Sequence, residues 1–213
     1  MKVFASFIES EFGPISFMWR ETGRGDERRD APPPGAGLST GAQGFEQGAL
    51  IRIFLDIEGA RSVVADFGGR FVPDSEMPSN IVVFKEAVQK FLQNPKSVFP
   101  LSSLDFSGCG AFQSQVLQHE HAIPIGFVST YSILAEACGS PRAVRAAGSS
   151  LARNPFPLLI PCHRAVRSDG SLGGYQGGLA MKRRLLEREG ITFSPSGRVD
   201  LSSSKIWRFD LQN

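Results

Sequence analysis

The chain has 213 residues, 41% hydrophobic and 21% charged, with 23 Lys and Arg against 21 Asp and Glu for a formal net charge of +2. These values are ordinary for a globular protein and speak against a disordered chain. No apolar stretch approaches the roughly 20 residues of a membrane-spanning helix. Met1-Lys2-Val3-Phe4 leads into no uncharged signal core, so a cytoplasmic protein without membrane contact is expected. Cys109, Cys138 and Cys162 are an odd, widely spaced set; they build neither a disulfide framework nor a four-cysteine metal site and are read as free thiols.

This length accommodates one large domain or two small ones. Residues 1–121 carry 11 basic and 15 acidic side chains, net −4, whereas residues 122–192 carry 9 and 4, net +5. The small overall charge hides a basic segment, which fits either a polyanionic partner or a solvated face.

In chain order, Val3 to Ile8 and Ile15 to Trp19 read as strands around the turn signal Phe12-Gly13-Pro14, and Ile51 to Ile57 alternates apolar residues on one face. An antiparallel sheet is expected. Arg20 to Gly48 is charged and then rich in Gly, Pro and Ala, which predicts a long mobile loop. Ser62 to Phe67 reads as a further strand. Asn80 to Leu92 places Ile81, Phe84, Val88, Phe91 and Leu92 at helical intervals, with Asn80 as cap.

The second half reads as helices: one begins over Phe112 to Gln118, another runs from Thr130 to Cys138, and a third from Arg142 to Ala152. Between the last two, Gly139-Ser140-Pro141 offers a terminator, an N-cap and a first-turn proline. This is the spacing of a helix-turn-helix. The third helix combines Ala143, Ala146, Ala147, Gly148, Ser149 and Ser150 with Arg142, Arg145 and Arg153. Small side chains let a backbone approach a surface while arginines reach phosphates or bases; a tightly packed internal helix has the same composition.

Asn154 to Arg164 (NPFPLLIPCHR) carries the strongest signal. Its prolines stiffen the backbone leading to Cys162. A buried structural cysteine would fit the apolar run, but the adjacent His163 can take a thiol proton, and the thiolate is the form that attacks electrophiles. Adjacent side chains on an extended segment diverge, so a bridging water would replace direct contact.

The stretch resembles the Pro-Cys-His-Arg signature of the O6-alkylguanine-DNA alkyltransferases, the methylated-DNA–protein-cysteine methyltransferases. The resemblance extends to Phe112-Gln113, Ile123-Pro124 with Gly126, Tyr131 with Leu134-Ala135, Ala143 to Gly148, Asn154-Pro155, Gly173-Gly174-Tyr175, Gly177-Gly178-Leu179, Lys182, Leu185-Leu186 and Glu189-Gly190. It is close over residues 105 to 193 and coarse before them.

The resemblance implies an α/β (α+β) protein. A ribonuclease H-like N-terminal subdomain (1–100, antiparallel sheet with helix, loop 20–48) would precede a helical DNA-binding and alkyl-acceptor domain (105–193) and a tail (194–213). It implies repair of O6-alkylguanine by irreversible, single-turnover transfer of the alkyl group to Cys162, with O4-alkylthymine left open as a substrate. His163 would be the base acting through water and Glu189 the carboxylate orienting it. Tyr131 would rotate the 3′ phosphate of the extruded nucleotide and Arg145 would fill its place in the stack. Asn154 would brace the turn before the cysteine, and Tyr175 would bind guanine under a loop containing Gly177 and Gly178. The partner would be double-stranded DNA carrying alkylated guanine, met in the minor groove by a monomer with no cofactor and no metal.

Departures from the family pattern are Leu117 in place of a frequent Trp, and Gln118-His119-Glu120-His121, whose histidines are read as solvated and too isolated for zinc. Phe127 stands where a basic residue is usual, which lowers the expected DNA affinity. Gln176 stands where small residues are common and would narrow the alkyl groups admitted. A lesion-binding protein of the alkyltransferase-like type, which lacks the cysteine, and a cysteine hydrolase using Cys162 and His163 are the rival readings.

Overall fold

The computed structural model describes residues 2–21, 49–94, 101, 104–202 and 204–209. The segment read as a long loop lies outside the described residues except for its first two positions, 20 and 21. The chain divides into two compact units, residues 1–93 with 97–109, and residues 94–96 with 110–213.

In the first unit, β1 (Val3–Ile8), β2 (Ile15–Arg20) and β3 (Ala49–Phe54) form an antiparallel meander. A two-residue strand, β4 (Arg70–Phe71), joins β1 in parallel, giving the order β3-β2-β1-β4. The sheet is therefore mixed rather than wholly antiparallel. Its parallel edge exists because a helix, α1 (Ile57–Asp66), carries the chain back across the sheet between β3 and β4.

That helix replaces the strand expected over Ser62 to Phe67, and β3 ends at Phe54, before the expected Ile57. Val63-Val64 has strand-forming chemistry, but Ala60, Val63 and Val64 share a helical face. They pack on Val3, Ala5, Met18 and Phe54 of the sheet, and Asp56 caps the helix by accepting the Gly59 amide. Burial of the helical face outweighs β-branching, a weak local preference.

The second long helix, α2 (Ser79–Gln93), begins one residue before Asn80, which lies inside the first turn rather than capping it. Ile81, Phe84, Val88, Phe91 and Leu92 are all buried, as their spacing requires. Asp105 closes this unit with an ion pair to Arg20 at 2.7 Å and an Asx-type bond from the Ser107 amide.

The second unit starts with α3 (Ala111–His121). The chain then enters β5 (Phe127–Thr130), which runs directly into α4 (Tyr131–Ala137) with Thr130 Oγ1 accepting the Ile133 amide as N-cap. Helix α4 ends in a Schellman arrangement. Gly139 has φ of +66°, its amide bonds to the Glu136 carbonyl, and the Ser140 amide bonds back to the Ala135 carbonyl.

Helix α5 is Val144–Ala152, two residues shorter at its start than expected. Ser140 and Pro141 do not open it: the Ser140 carbonyl accepts the Ala143 amide in a turn, and the helix begins beyond it. After α5 come a short 3-10 turn at Cys162–Arg164, β6 (Ala165–Val166), α6 (Gly178–Arg188) and β7 (Lys205–Ile206).

Strands β6 and β7 flank β5 in parallel, a small sheet absent from the all-helical reading of this half. Two-residue strands carry no periodicity to read. The sheet and α6 enclose Val128, Val166, Leu186, Ile191 and Val199. The segment from 194 onward packs into this unit: Trp207 donates its amide to the Val128 carbonyl, and Ser129 Oγ bonds to the Trp207 carbonyl at 3.0 Å. No helix among the described residues is long and apolar enough to cross a membrane.

Candidate active site

The cysteine is delivered by a backbone with little freedom. The Asn154 side chain spans the loop, accepting the Phe156 amide at 2.9 Å and donating to the Ile160 carbonyl at 3.0 Å. Within that loop Leu158 adopts φ of +74° although it is not glycine, and it is held there with only 1% exposure. Pro161, at φ −78° and ψ 57°, forms an inverse γ-turn closed by the Cys162 amide on the Ile160 carbonyl at 2.8 Å. Cys162 thus begins the 3-10 turn with 5% of its surface exposed.

His163 and Glu189 come together from opposite ends of the unit's C-terminal half. The imidazole Nε2 lies 2.9 Å from Glu189 Oε1, and neither side chain meets solvent. Arg164, which the sequence reading left without a role, donates Nε to Oε2 and Nη2 to Oε1 of the same carboxylate, both at 2.8 Å, and Nη1 to the Ile123 carbonyl at 2.6 Å. Burial alone would raise the Glu189 carboxyl, but His163 and Arg164 outweigh it and bring it to about 2. Burial lowers His163 against the pull of Glu189, so the imidazole rests neutral. Burial pushes the Cys162 thiol up to about 12, with Asn154 and Lys182 opposing. The resting site is a thiol beside a neutral base backed by a fixed anion.

Lys182 is completely buried. Its ammonium donates to the Ala165 and Leu172 carbonyls at 2.7 and 2.5 Å and sits 6.0 Å from the centre of the Tyr131 ring. Tyr131 also packs on Gly173, where a Cβ would come within 2.4 Å of its hydroxyl. Tyr175 meets His163 edge to face at 6.3 Å. Its buried hydroxyl has no protein partner, a polar atom left for a ligand.

The helix pair expected from the sequence forms, with α5 starting at Val144 rather than Arg142. On α5, Ala147, Ser150 and Leu151 are buried, whereas Arg145, Ala146 and Ser149 are exposed together on one face. The packed internal helix is thereby excluded for that face. Two glutamine amides take the carbonyls at the end of α5. Gln113 Nε2 donates to Ser150 and Arg153 at 3.3 and 3.1 Å, and Gln176 Nε2 to Ala152 and Asn154 at 3.2 and 2.6 Å. The Gln176 side chain, expected to narrow the pocket, instead ties its loop to the helix end.

Other departures also take on definite roles. Leu117 is core. Phe127 packs edge to face on Trp207, and Lys205 Nζ lies 5.4 Å from its ring centre, so positive charge stands beside the position where a basic residue is missing. His119 and His121 are half-buried rather than solvated; His119 packs on Phe209 at 4.9 Å. Between them Glu120 is completely buried. Among the described residues no group of three or more His, Cys, Asp or Glu could hold a metal ion.

Residues 111–191 match the family profile described as 6-O-methylguanine DNA methyltransferase, DNA binding domain. The chain is 48% identical over 124 residues to a methylated-DNA–protein-cysteine methyltransferase of Methanothermobacter thermautotrophicus, a match covering 58% of this chain and 69% of the relative. The human protein of that name is 50% identical over 75 residues, 35% of this chain and 36% of its own. Among solved structures, Mycobacterium tuberculosis O6-methylguanine methyltransferase superposes with a TM-score of 0.62 at 25% identity, covering 88% of this chain and 92% of its own. A structure of the mycobacterial protein in complex with DNA gives 0.61 at 25% identity, over 88% and 93%.

Proposed function

The chain belongs to the methylated-DNA–protein-cysteine methyltransferase family, and from that premise we propose that Cys162 is its alkyl acceptor, with His163 and Glu189 as the base and its orienting anion. The protein binds DNA and repairs it by direct reversal. The observation that carries the residue assignment is the buried His163–Glu189 contact at 2.9 Å next to a nearly closed thiol.

The chemistry follows from this arrangement. With Nε2 held by Glu189, the proton of Cys162 passes through a water to the other edge of the imidazole, Nδ1, and Glu189 stabilises the imidazolium that results. The thiolate attacks the alkyl carbon in line. An S–C bond forms as the C–O6 bond breaks, and the leaving guanine keeps the electron pair and gains a proton. The product is a thioether, which water does not cleave, so each molecule acts once.

An alkyl carbon inside a duplex is out of reach of a cysteine with 5% exposure, so the nucleotide must leave the stack. The exposed Arg145–Ala146–Ser149 face of α5 suits close approach to a minor groove, with Arg145 replacing the extruded base. Tyr131 at the start of α4 would turn the phosphate, and the unpartnered Tyr175 hydroxyl would meet the guanine. A monomer suffices, since every proposed catalytic group lies in one unit of one chain.

The test is intact-protein mass spectrometry after incubation with a duplex containing O6-methylguanine. One added methyl, mapped to Cys162 and saturating at one per molecule, is expected; Cys162→Ala should bind the duplex without gaining mass. Transfer that persists in that variant would refute the assignment. Tight binding with no mass change in the wild type would assign a lesion-binding role instead.

A further inference from the structure

Tyr175 and Gln176 sit between Gly173-Gly174 and Gly177-Gly178, a composition that gives their loop little stiffness of its own. Its backbone supplies a turn, with the Gly178 amide on the Tyr175 carbonyl at 3.1 Å. Side chains hold the rest. Lys182 takes the Leu172 carbonyl just before the loop, and Tyr131 packs on Gly173. Gln176 spends both protons of its amide on carbonyls outside the loop, Ala152 at 3.2 Å and Asn154 at 2.6 Å.

Those two carbonyls connect the loop to the rest of the site. Ala152 is the last residue of α5, where carbonyls lack donors within the helix and carry the negative end of its dipole. Asn154 is the residue whose side chain braces the turn before Cys162, through the Phe156 amide and the Ile160 carbonyl. One residue therefore supports two segments: its side chain fixes the loop that delivers the thiol, and its carbonyl receives the loop that carries Tyr175. Gln113 of α3 takes the Ser150 and Arg153 carbonyls, so the end of α5 is itself anchored. Tyr175, next to Gln176, lies edge-on to His163 with its buried hydroxyl unpartnered.

We propose that Gln176 is a positioning residue for alkyl transfer: its amide pins the Tyr175 loop to the end of α5 and to Asn154, so that the Tyr175 hydroxyl is set relative to the thiol before the guanine arrives. The proposal rests on the reading of Cys162 as acceptor and Tyr175 as guanine contact. Ordering a glycine-rich loop in advance removes an entropy cost that binding would otherwise bear. The proposed proton path from Cys162 to His163 lies outside the loop. Loss of the tie should therefore weaken capture of the base and leave transfer from the bound base unchanged.

The test is the rate of Cys162 benzylation by free O6-benzylguanine, read by intact mass and peptide mapping over a range of base concentrations, which separates the half-saturating concentration from the limiting rate. Gln176→Ala should raise the half-saturating concentration about tenfold, the worth of one or two modest hydrogen bonds, with the limiting rate within about twofold of wild type. Gln176→Lys keeps a donor for the helix end and should recover most of that loss. Gln176→Glu, equal in length but with acceptors only, should capture the base no better than Gln176→Ala. Gln176 is exposed, so each variant should fold, which urea unfolding checks. An unchanged half-saturating concentration in Gln176→Ala, a loss confined to the limiting rate, or equal behaviour of Gln176→Lys and Gln176→Glu overturns the proposal. Its premises have separate controls. Absence of a Cys162 adduct in the wild type overturns the acceptor reading, and a Tyr175→Phe variant that captures the base as the wild type does overturns the guanine contact.

Discussion

Glu189 Oε1 lies 2.9 Å from His163 Nε2 while the same carboxylate receives two N–H donors of Arg164. One anion therefore serves two cations in turn. It neutralises a permanent guanidinium and is already in place for the imidazolium that the proposed proton transfer from Cys162 would form. Arg164 is fixed by the Ile123 carbonyl as well, so the carboxylate cannot swing to follow the proton.

Removing that charge has two effects of different origin. Glu189→Gln leaves Arg164 buried and unneutralised, which should cost about 3–5 kcal/mol of stability, measured by urea unfolding at neutral pH. Transfer from free O6-benzylguanine should slow by about 10²- to 10⁴-fold, the usual worth of a base that loses its support. An unchanged rate in protein shown to be folded would separate Glu189 from the chemistry.

Acid should undo the same contact. The Glu189 carboxyl is held at about 2 in the folded chain against an ordinary 4.5, so its contribution is complete above about pH 4.5 and lost as pH falls toward about 2. His163 works in the same direction from a higher pH, since its folded-state value is depressed from the ordinary 6.5 and the unfolded chain takes up that proton as pH falls below about 6.5. The urea midpoint of the wild type should therefore fall steeply across this window. Glu189→Gln should show a shallower fall; equal slopes would mean that other carboxylates govern acid unfolding.

Glu120 has the opposite linkage. Its proton is retained in the folded state up to about pH 8 against 4.5 ordinarily, so its cost to folding grows as pH rises through that interval. Glu120→Leu should stabilise the protein at neutral pH by up to about 3 kcal/mol, the linkage cost of holding the proton from pH 4.5 up to neutral pH. The gain should shrink toward pH 4.5. Differential scanning calorimetry at several pH values checks both the sign and the trend.

Arg145 is exposed on α5 and lies outside the buried thiol cluster. Arg145→Ala should leave the reaction with free O6-benzylguanine within about twofold of wild type and slow repair of a duplex by tenfold or more, roughly the worth of one 1.4 kcal/mol contact, because only the duplex requires extrusion. Equal losses on both substrates would contradict its role in the stack.

The proposed catalytic constellation is legible because it is local and chemical: Pro161-Cys162-His163-Arg164 announces itself, and Glu189 enters as what the resemblance implies. The first-unit elements with clear periods were legible too, as at β1, β2 and α2. What the sequence hid depends on contacts between distant segments. Residues 62–66 become helical because Ala60 and Val64 find the sheet. The short parallel strands β6 and β7 exist only as neighbours of β5. Glu120 reads as one more polar residue between two histidines, although Val116 and Leu117, four and three residues before it, place it on the apolar face of α3.

The turn before the cysteine provides the last prediction. Asn154 makes both of its amide bonds within six residues, to the Phe156 amide and the Ile160 carbonyl, and it is 1% exposed. Asn154→Ala removes both partners at once and leaves two buried backbone groups unsatisfied, for an expected loss of about 2–4 kcal/mol, the sum of two ordinary buried hydrogen bonds with their desolvation. The loop holding Leu158 at positive φ and Pro161 in its γ-turn then has no internal brace. Asn154 also lowers the Cys162 thiol directly through a side-chain hydrogen bond, so its removal should leave the thiol still less acidic. Asn154→Asp provides the contrast. The Phe156 amide keeps its acceptor, but a carboxylate faces the Ile160 carbonyl and the sulfur, and repulsion should slow alkylation further than alanine does at alkaline pH. If the two variants react at the same rate throughout, the side chain braces the loop without influencing the sulfur.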